Sequence, residues 1–197
     1  SIVDHYTYTI MGDGCMMEGI TSEAASLAGH LGLDKLIAIY DDNNISIAGN
    51  TNLAFTESVA DRFKAFGWQV IENIDGHDID KLRDAINQAK SDKDRPTLIM
   101  AKTHIAYGAP SKQGTADAHG APLGEEEIKG LKKVFKLPED KKFYVPDEVR
   151  EFFHSRAAEM QDKRLEWEKE FEAWAKENPE LKKEWNQAMD LKLPVDL

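Results

Sequence analysis

The sequence of 197 residues has little cysteine, a shortage of positive charge and no long apolar run. Cys15 is its only cysteine, which excludes a disulfide framework and a thiolate metal cluster, and we expect it to be a small packed residue. Acidic residues outnumber lysine and arginine by 36 to 25, so the net charge of −11 argues against nucleic-acid binding. No apolar stretch approaches the roughly 20 residues of a membrane helix, and no signal peptide is recognisable. We therefore expect a soluble, cytoplasmic protein that binds neither nucleic acid nor membrane.

Apolar segments of strand length alternate with segments of helical periodicity. Strands are predicted at residues 6–11, 36–40, 68–71 and 96–101, the first as a buried strand. A helix between the first two strands would bury one apolar stripe, and Thr56 would cap the next helix. The residues of that stripe are Ile20, Ala24, Leu27, Ala28 and Leu31. This alternation predicts an α/β fold with a mostly parallel, doubly wound sheet.

The last third of the chain has a different pattern. Phe153, Met160, Trp167 and Trp174 recur every seven residues among charged residues, which predicts a long amphipathic helix that ends at Asn178-Pro179. The apolar stripe fits either an intermolecular coiled coil or packing onto the sheet domain. We therefore divide the chain into a binding domain, residues 1–135, and a helical extension, residues 136–197.

Two polar clusters follow the first two predicted strands. Gly12-Asp13-Gly14 comes after the first strand, and an Asp-Asp-Asn-Asn run at residues 41–44 comes after the second. Either cluster alone is a common turn, but the carboxyl ends of neighbouring parallel strands meet at one edge of a sheet, where ligands bind. Together they suggest a cation that carries the diphosphate of thiamine diphosphate.

Hard oxygen donors are available at this edge for such a cation. The Asp13 carboxylate, the Asn43 side-chain carbonyl and the Ile45 main-chain carbonyl are predicted ligands of Mg²⁺, with Ca²⁺ or Mn²⁺ as alternatives. Gly12 and Gly14 would let the backbone approach the phosphates, and the helix that follows would direct its first N–H groups toward them.

Longer stretches resemble the transketolase family. The similar stretches are residues 12–47, 66–78, 101–124 and 189–197. The resemblance implies ketol transfer between sugar phosphates, thiamine diphosphate as cofactor and a homodimer. It covers only the later part of the family's diphosphate-binding domain, up to the linker, and the chain begins at Ser1 rather than at a methionine. We therefore expect a fragment that is inactive without the complementary pyrimidine-binding and C-terminal domains. The resemblance also favours packing of the C-terminal helices onto the sheet domain.

The resemblance assigns further residues of the cofactor site. His119, in the glycine-containing loop at residues 103–124, matches a histidine that contacts the substrate, where an imidazole could transfer a proton. Ile47 and Ile105 match apolar residues that line the thiazolium. Glu18 matches a glutamate that contacts the neighbouring subunit's site. Asn43 and His119 are also expected at the cofactor.

Three departures from the family pattern bear on substrate specificity. Ala48 stands where aspartate is common, Ala106 where glycine is common, and Ala116 where histidine is common. They put donor and acceptor preference in doubt and leave the predicted metal ligands unchanged.

Three functions remain compatible with the sequence. The chain could be part of a transketolase, or part of another thiamine diphosphate enzyme of the dihydroxyacetone synthase or deoxyxylulose phosphate synthase type. It could also be a non-catalytic assembly module that uses its tryptophan-bearing helices as a partner surface.

Overall fold

The computed structural model describes residues 2–191 and 193. Ser1, Lys192 and residues 194–197 lie outside the described residues, so part of the C-terminal stretch that resembles the family is not covered. The chain divides into two compact units. One contains residues 5–141, and the other contains the described part of residues 1–4 and 142–197.

The first unit is built on a four-stranded parallel sheet. Its strands are β1 (Thr7–Gly12), β2 (Leu36–Asp42), β5 (Gln69–Asp75) and β6 (Thr97–Lys102), in the order β1-β2-β6-β5. A separate antiparallel pair, β3 (Ile45–Ser46) and β4 (Gly49–Asn50), was not predicted. The α/β class and the parallel sheet are confirmed.

Helices cover both faces of this sheet, because its strand residues alternate between two apolar cores. The helices of this unit are α1 (Asp13–Met17), α2 (Gly19–His30), α3 (Val59–Ala65), α4 (Ile79–Ser91) and α5 (Glu125–Val134). On one face, Ala38, Tyr40 and Leu98 pack with Phe63 of α3. On the other face, Ile37 and Ile99 of the sheet pack with Ala85 and Ala89 of α4.

The orientation predicted for α2 is wrong. Ile20, Leu27 and Leu31 of the predicted buried stripe are 57–67% exposed; of that stripe α2 buries only Ala28, together with Ala25, which lies outside it. The reason is the close approach of α2 to the end of α3: a Cβ on Gly29 would lie 1.8 Å from the Phe66 carbonyl oxygen. Only the face with small side chains allows that distance.

Three smaller expectations also differ from the structure. β1 is an edge strand and not a buried one, with Ile10 76% exposed. The N-cap of α3 is Ser58 rather than Thr56, since the Ser58 hydroxyl accepts a hydrogen bond from the Asp61 N–H at 3.1 Å. Cys15, expected to be packed, is exposed.

The described part of the second unit contains two helices, α6 (Asp147–Glu177) and α7 (Pro179–Met189). Asn178 separates them, as predicted from the Asn-Pro pair. Phe171 packs against Trp174 and Trp185, with ring centroids 5.6 and 5.3 Å away, and this aromatic cluster joins α6 to α7. Among the described residues, none of the helices has the length and apolar character that a membrane crossing requires.

Candidate functional site

The sheet register brings the two polar clusters together. β1 and β2 are parallel neighbours in which Met11 pairs with Tyr40 and Gly12 pairs with Asp41. The residues that follow each strand therefore leave the sheet at the same edge, with Asp13 beside the Asp-Asp-Asn-Asn run. This convergence is the arrangement that the sequence predicted.

Asp13 is a buried carboxylate, only 3% exposed. Its Oδ1 accepts a hydrogen bond from the Tyr40 hydroxyl at 2.7 Å, and its Oδ2 accepts one from the Asn43 N–H at 3.3 Å. Burial raises the pKa of Asp13 above its ordinary value, although these two hydrogen bonds act in the opposite direction. The Tyr40 pKa is also raised, first by burial and then by its hydrogen bond to Asp13.

The charges around Asp13 favour an added cation. Asp42, 4% exposed, contributes to the raised pKa of Asp13 and forms an ion pair with Lys102. Among the described residues, Asp13 itself has no ion pair with a lysine, arginine or histidine. A buried carboxylate with only neutral hydrogen-bond donors is costly when ionised, and a bound cation would relieve that cost. The residues present therefore fit a divalent cation.

Asn43, directly after β2, and Ile45, at the start of β3, lie close to Asp13. The Asn43 side-chain oxygen accepts a hydrogen bond from the Ile45 N–H at 3.0 Å. Asn44 between them is in the left-handed region, with φ of 61°, a conformation that asparagine tolerates better than most residues. The three predicted metal ligands are thus linked to one another by hydrogen bonds, and their role as ligands stays a prediction.

The donor set at this edge is mostly neutral. Within the described part of the chain, no group of three or more His, Cys, Asp or Glu side chains is arranged to hold a metal ion. Asp13 is the one carboxylate of the predicted set, and amide and carbonyl oxygens supply the rest. Such a set suits Mg²⁺ when an anionic ligand such as a diphosphate completes the coordination.

Two cavities open at this edge of the sheet. One, of about 390 Å³, is lined in part by Asp13, Tyr40 and Asn44. The other, of about 400 Å³, is lined in part by Asn43 and His77. Beside them, Gly12 ends β1 and Gly14 lies in α1, and a Cβ on either glycine would meet nothing within 4 Å. The backbone here is open to a ligand.

The other predicted cofactor residues lie outside these two cavities. Glu18 is exposed at the break between α1 and α2, and its side chain makes no cap hydrogen bond. Ile47 is 81% exposed in the turn between β3 and β4, whereas Ile105 is half-buried. His119 is exposed and follows a 3₁₀ turn, Ala116–Ala118, where its N–H donates to the Ala116 carbonyl at 2.9 Å. Their roles stay predictions.

The structure adds site residues that the sequence did not reveal. Tyr40 contacts Asp13 directly, and its only signal in the sequence was a hydroxyl-bearing residue at the end of a buried strand. His77 and Tyr107 stack at a centroid distance of 3.7 Å, and His77 Nε2 accepts a hydrogen bond from the His104 N–H at 3.0 Å. The Gly-His-Asp sequence after β5 was the available signal for His77.

Comparison with known proteins identifies relatives that match nearly the whole chain. The family described as "Transketolase, thiamine diphosphate binding domain" matches residues 1–194. The chain is 47% identical over 194 residues to a transketolase of Geobacillus stearothermophilus, and 49% identical over 195 residues to transketolase 2 of Aliivibrio fischeri. These matches cover 98% and 99% of this chain but only 29% of each relative.

Solved structures give the same result. The chain is similar to a transketolase of Pichia stipitis in complex with sedoheptulose 7-phosphate, with a TM-score of 0.91 and 45% identity. The match covers 98% of this chain and 29% of that one. The chain therefore spans less than a third of the length of the relatives it matches.

Proposed function

The chain belongs to the transketolase family, and from this we propose that it supplies the metal and diphosphate half of a thiamine diphosphate site. The complete enzyme would transfer a two-carbon ketol unit from a ketose phosphate to an aldose phosphate. The observation that carries this proposal is the buried Asp13 carboxylate, hydrogen-bonded to the Asn43 N–H and lacking an ion-pair partner among the described residues. It supports a cation at the edge of the sheet where Gly12 and Gly14 leave room for phosphate.

The residues of this half-site would hold the metal ion and the diphosphate. Asp13, Asn43 and the Ile45 carbonyl would hold Mg²⁺, with Ca²⁺ or Mn²⁺ as substitutes. Gly12 and Gly14 would admit the diphosphate next to the backbone. When bound, thiamine diphosphate supplies the electron sink for cleavage of the carbon–carbon bond, while the protein supplies position and electrostatics.

The remaining family residues would act on other parts of the ligands. His119 would hydrogen-bond to the sugar oxygen and exchange a proton there, because an imidazole titrates near neutral pH. Ile47 and Ile105 would exclude water from the thiazolium. Glu18 would contact the site of the neighbouring subunit in a homodimer.

Other segments would complete this half-site. The pyrimidine-binding and C-terminal domains of a transketolase, acting in the cytoplasm on sugar phosphates, would complete the site. Since half of the cofactor would lie on those segments, we expect the 197-residue chain to be inactive alone.

Product analysis tests this function. The pure chain and the chain mixed with the complementary domains are each given xylulose 5-phosphate and ribose 5-phosphate. We expect ketol transfer by the mixture and none by the pure chain. Transfer by the pure chain would contradict the half-site, and transfer by neither, despite proven association of the parts, would contradict the assigned reaction.

A further inference from the structure

Tyr40 is a buried tyrosine next to the predicted metal site. The residue is 3% exposed and packs among Met16, Ala38 and Leu98. A hydroxyl buried in such surroundings needs a hydrogen-bond partner, and its partner is Asp13 Oδ1 at 2.7 Å. We propose that Tyr40 is a positioning residue, which fixes the Asp13 carboxylate in the orientation that binds the divalent cation. This inference rests on the function proposed above.

The geometry supports a positioning role. Tyr40 pairs with Met11 across the β1–β2 register, so its side chain reaches from β2 to the carboxylate two residues beyond Met11. The second oxygen of that carboxylate accepts from the Asn43 N–H at 3.3 Å. Two donors from one short segment of chain, a phenol and a backbone N–H, therefore hold both oxygens and restrict rotation of the carboxylate.

Both hydrogen bonds leave the carboxylate able to bind a cation. Each carboxylate oxygen has about two acceptor sites, and Tyr40 and Asn43 each use one. A hydrogen bond of this kind to a metal ligand typically contributes about 10- to 100-fold to metal affinity.

The test uses Tyr40→Phe, which removes one oxygen atom. The probe is Mn²⁺ in the presence of inorganic pyrophosphate. Electron paramagnetic resonance measures the concentration of free Mn²⁺, from which the dissociation constant of Mn²⁺ from the 197-residue chain is obtained. We expect Mn²⁺ to bind Tyr40→Phe about 10- to 100-fold more weakly than the wild type.

Tyr6→Phe is the matched control. The Tyr6 hydroxyl lies beside the same sheet but contacts the Lys90 carbonyl and the Lys93 amine instead. Its loss should leave the Mn²⁺ dissociation constant unchanged. Urea unfolding without Mn²⁺ separates the two possible roles of Tyr40, because a purely structural role would lower stability without changing the Mn²⁺ affinity of the folded protein.

Asp13→Asn distinguishes failure of this inference from failure of the proposed function. If Asp13→Asn abolishes Mn²⁺ binding while Tyr40→Phe binds as the wild type does, the positioning role is overturned and the metal site stands. If Asp13→Asn binds Mn²⁺ as the wild type does, or if the wild type does not bind Mn²⁺, the positioning role of Tyr40 and the proposed metal site are both overturned. Should Tyr40→Phe fold poorly, all variants are compared in about 1 M trimethylamine N-oxide, which favours the folded state.

Discussion

The contact between α2 and the end of α3 gives a prediction whose size follows from the structure. In Gly29→Ala the new Cβ would lie 1.8 Å from the Phe66 carbonyl oxygen, whereas real Cβ atoms essentially never approach closer than 3.0 Å. Because the obstacle is backbone, no side-chain rotation relieves the clash. Helix α2 must move away from Phe66 by roughly 1 Å, because a close-packed interior has few voids that could absorb the clash.

That movement would break a specific hydrogen bond. The Trp68 indole N–H donates to the Ala25 carbonyl at 2.8 Å, and a shift of roughly 1 Å takes the pair out of hydrogen-bonding range. Loss of this bond costs about 1 kcal/mol, and overpacking typically costs about 1–3 kcal/mol. The better helix propensity of alanine returns up to about 1 kcal/mol. We expect a net loss of about 1–3 kcal/mol.

Urea unfolding followed by far-UV circular dichroism measures this loss. Gly19→Ala in the same helix is the control, because a Cβ there would meet nothing within 4 Å, and we expect it to be neutral or slightly stabilising. If Gly29→Ala were as stable as Gly19→Ala, the close packing of α2 against the end of α3 would be refuted.

Four further predictions each concern a single substitution. Phe63 is 1% exposed, so Phe63→Ala should cost about 3–5 kcal/mol in urea unfolding. Ile20→Ala, at a residue 67% exposed, should cost less than about 1 kcal/mol, and equal losses would contradict the observed face of α2. Ala106 has φ of 53°, so Ala106→Gly should raise the unfolding free energy by roughly 0.5–1 kcal/mol; a loss would contradict that backbone conformation. Because the pKa of Asp13 is raised in the folded protein, the folded state keeps this proton to higher pH than the unfolded chain does, and its contribution to stability falls as pH rises above the ordinary pKa of 3.8. Without metal, Asp13→Asn should therefore gain stability relative to the wild type as the pH rises above 3.8, and a difference that does not vary with pH would contradict the raised pKa.

The convergence of the two polar clusters could be predicted because it follows from local patterns. The apolar run at residues 36–40 and the Gly-Asp-Gly turn each indicate the end of a strand, and parallel strands end at one edge of a sheet. The strand pattern was therefore enough to predict that Asp13 and Asn43 lie close together.

The orientation of α2 could not be predicted in the same way. Its sequence has a stripe with the bulky residues Ile20 and Leu27, whereas the face that the helix buries carries the small residues Ala25 and Ala28, of which Ala28 also belongs to that stripe. Periodicity favours the bulky stripe, but the approach of Gly29 to Phe66 selects the small face. That choice depends on a long-range contact, which a local pattern does not contain.

The hydrogen-bond partner of Tyr40 could not be predicted either, because this contact is also long-range. Its hydrogen bond joins residues 27 positions apart, from strand β2 to the first residue of helix α1. The position of His119 was beyond prediction too, because the loop at residues 103–124 has no periodicity from which a conformation could be read.

Calorimetric titration of thiamine diphosphate tests the central claim most directly. The chain is mixed with the complementary transketolase domains, and the cofactor is added with and without Mg²⁺ to the wild type and to Asp13→Ala. We predict that the wild type binds thiamine diphosphate only when Mg²⁺ is present, and that Asp13→Ala loses this Mg²⁺-dependent binding. Equal affinity of the two proteins for the cofactor, in the presence of Mg²⁺, would contradict the assignment of Asp13 to the metal site.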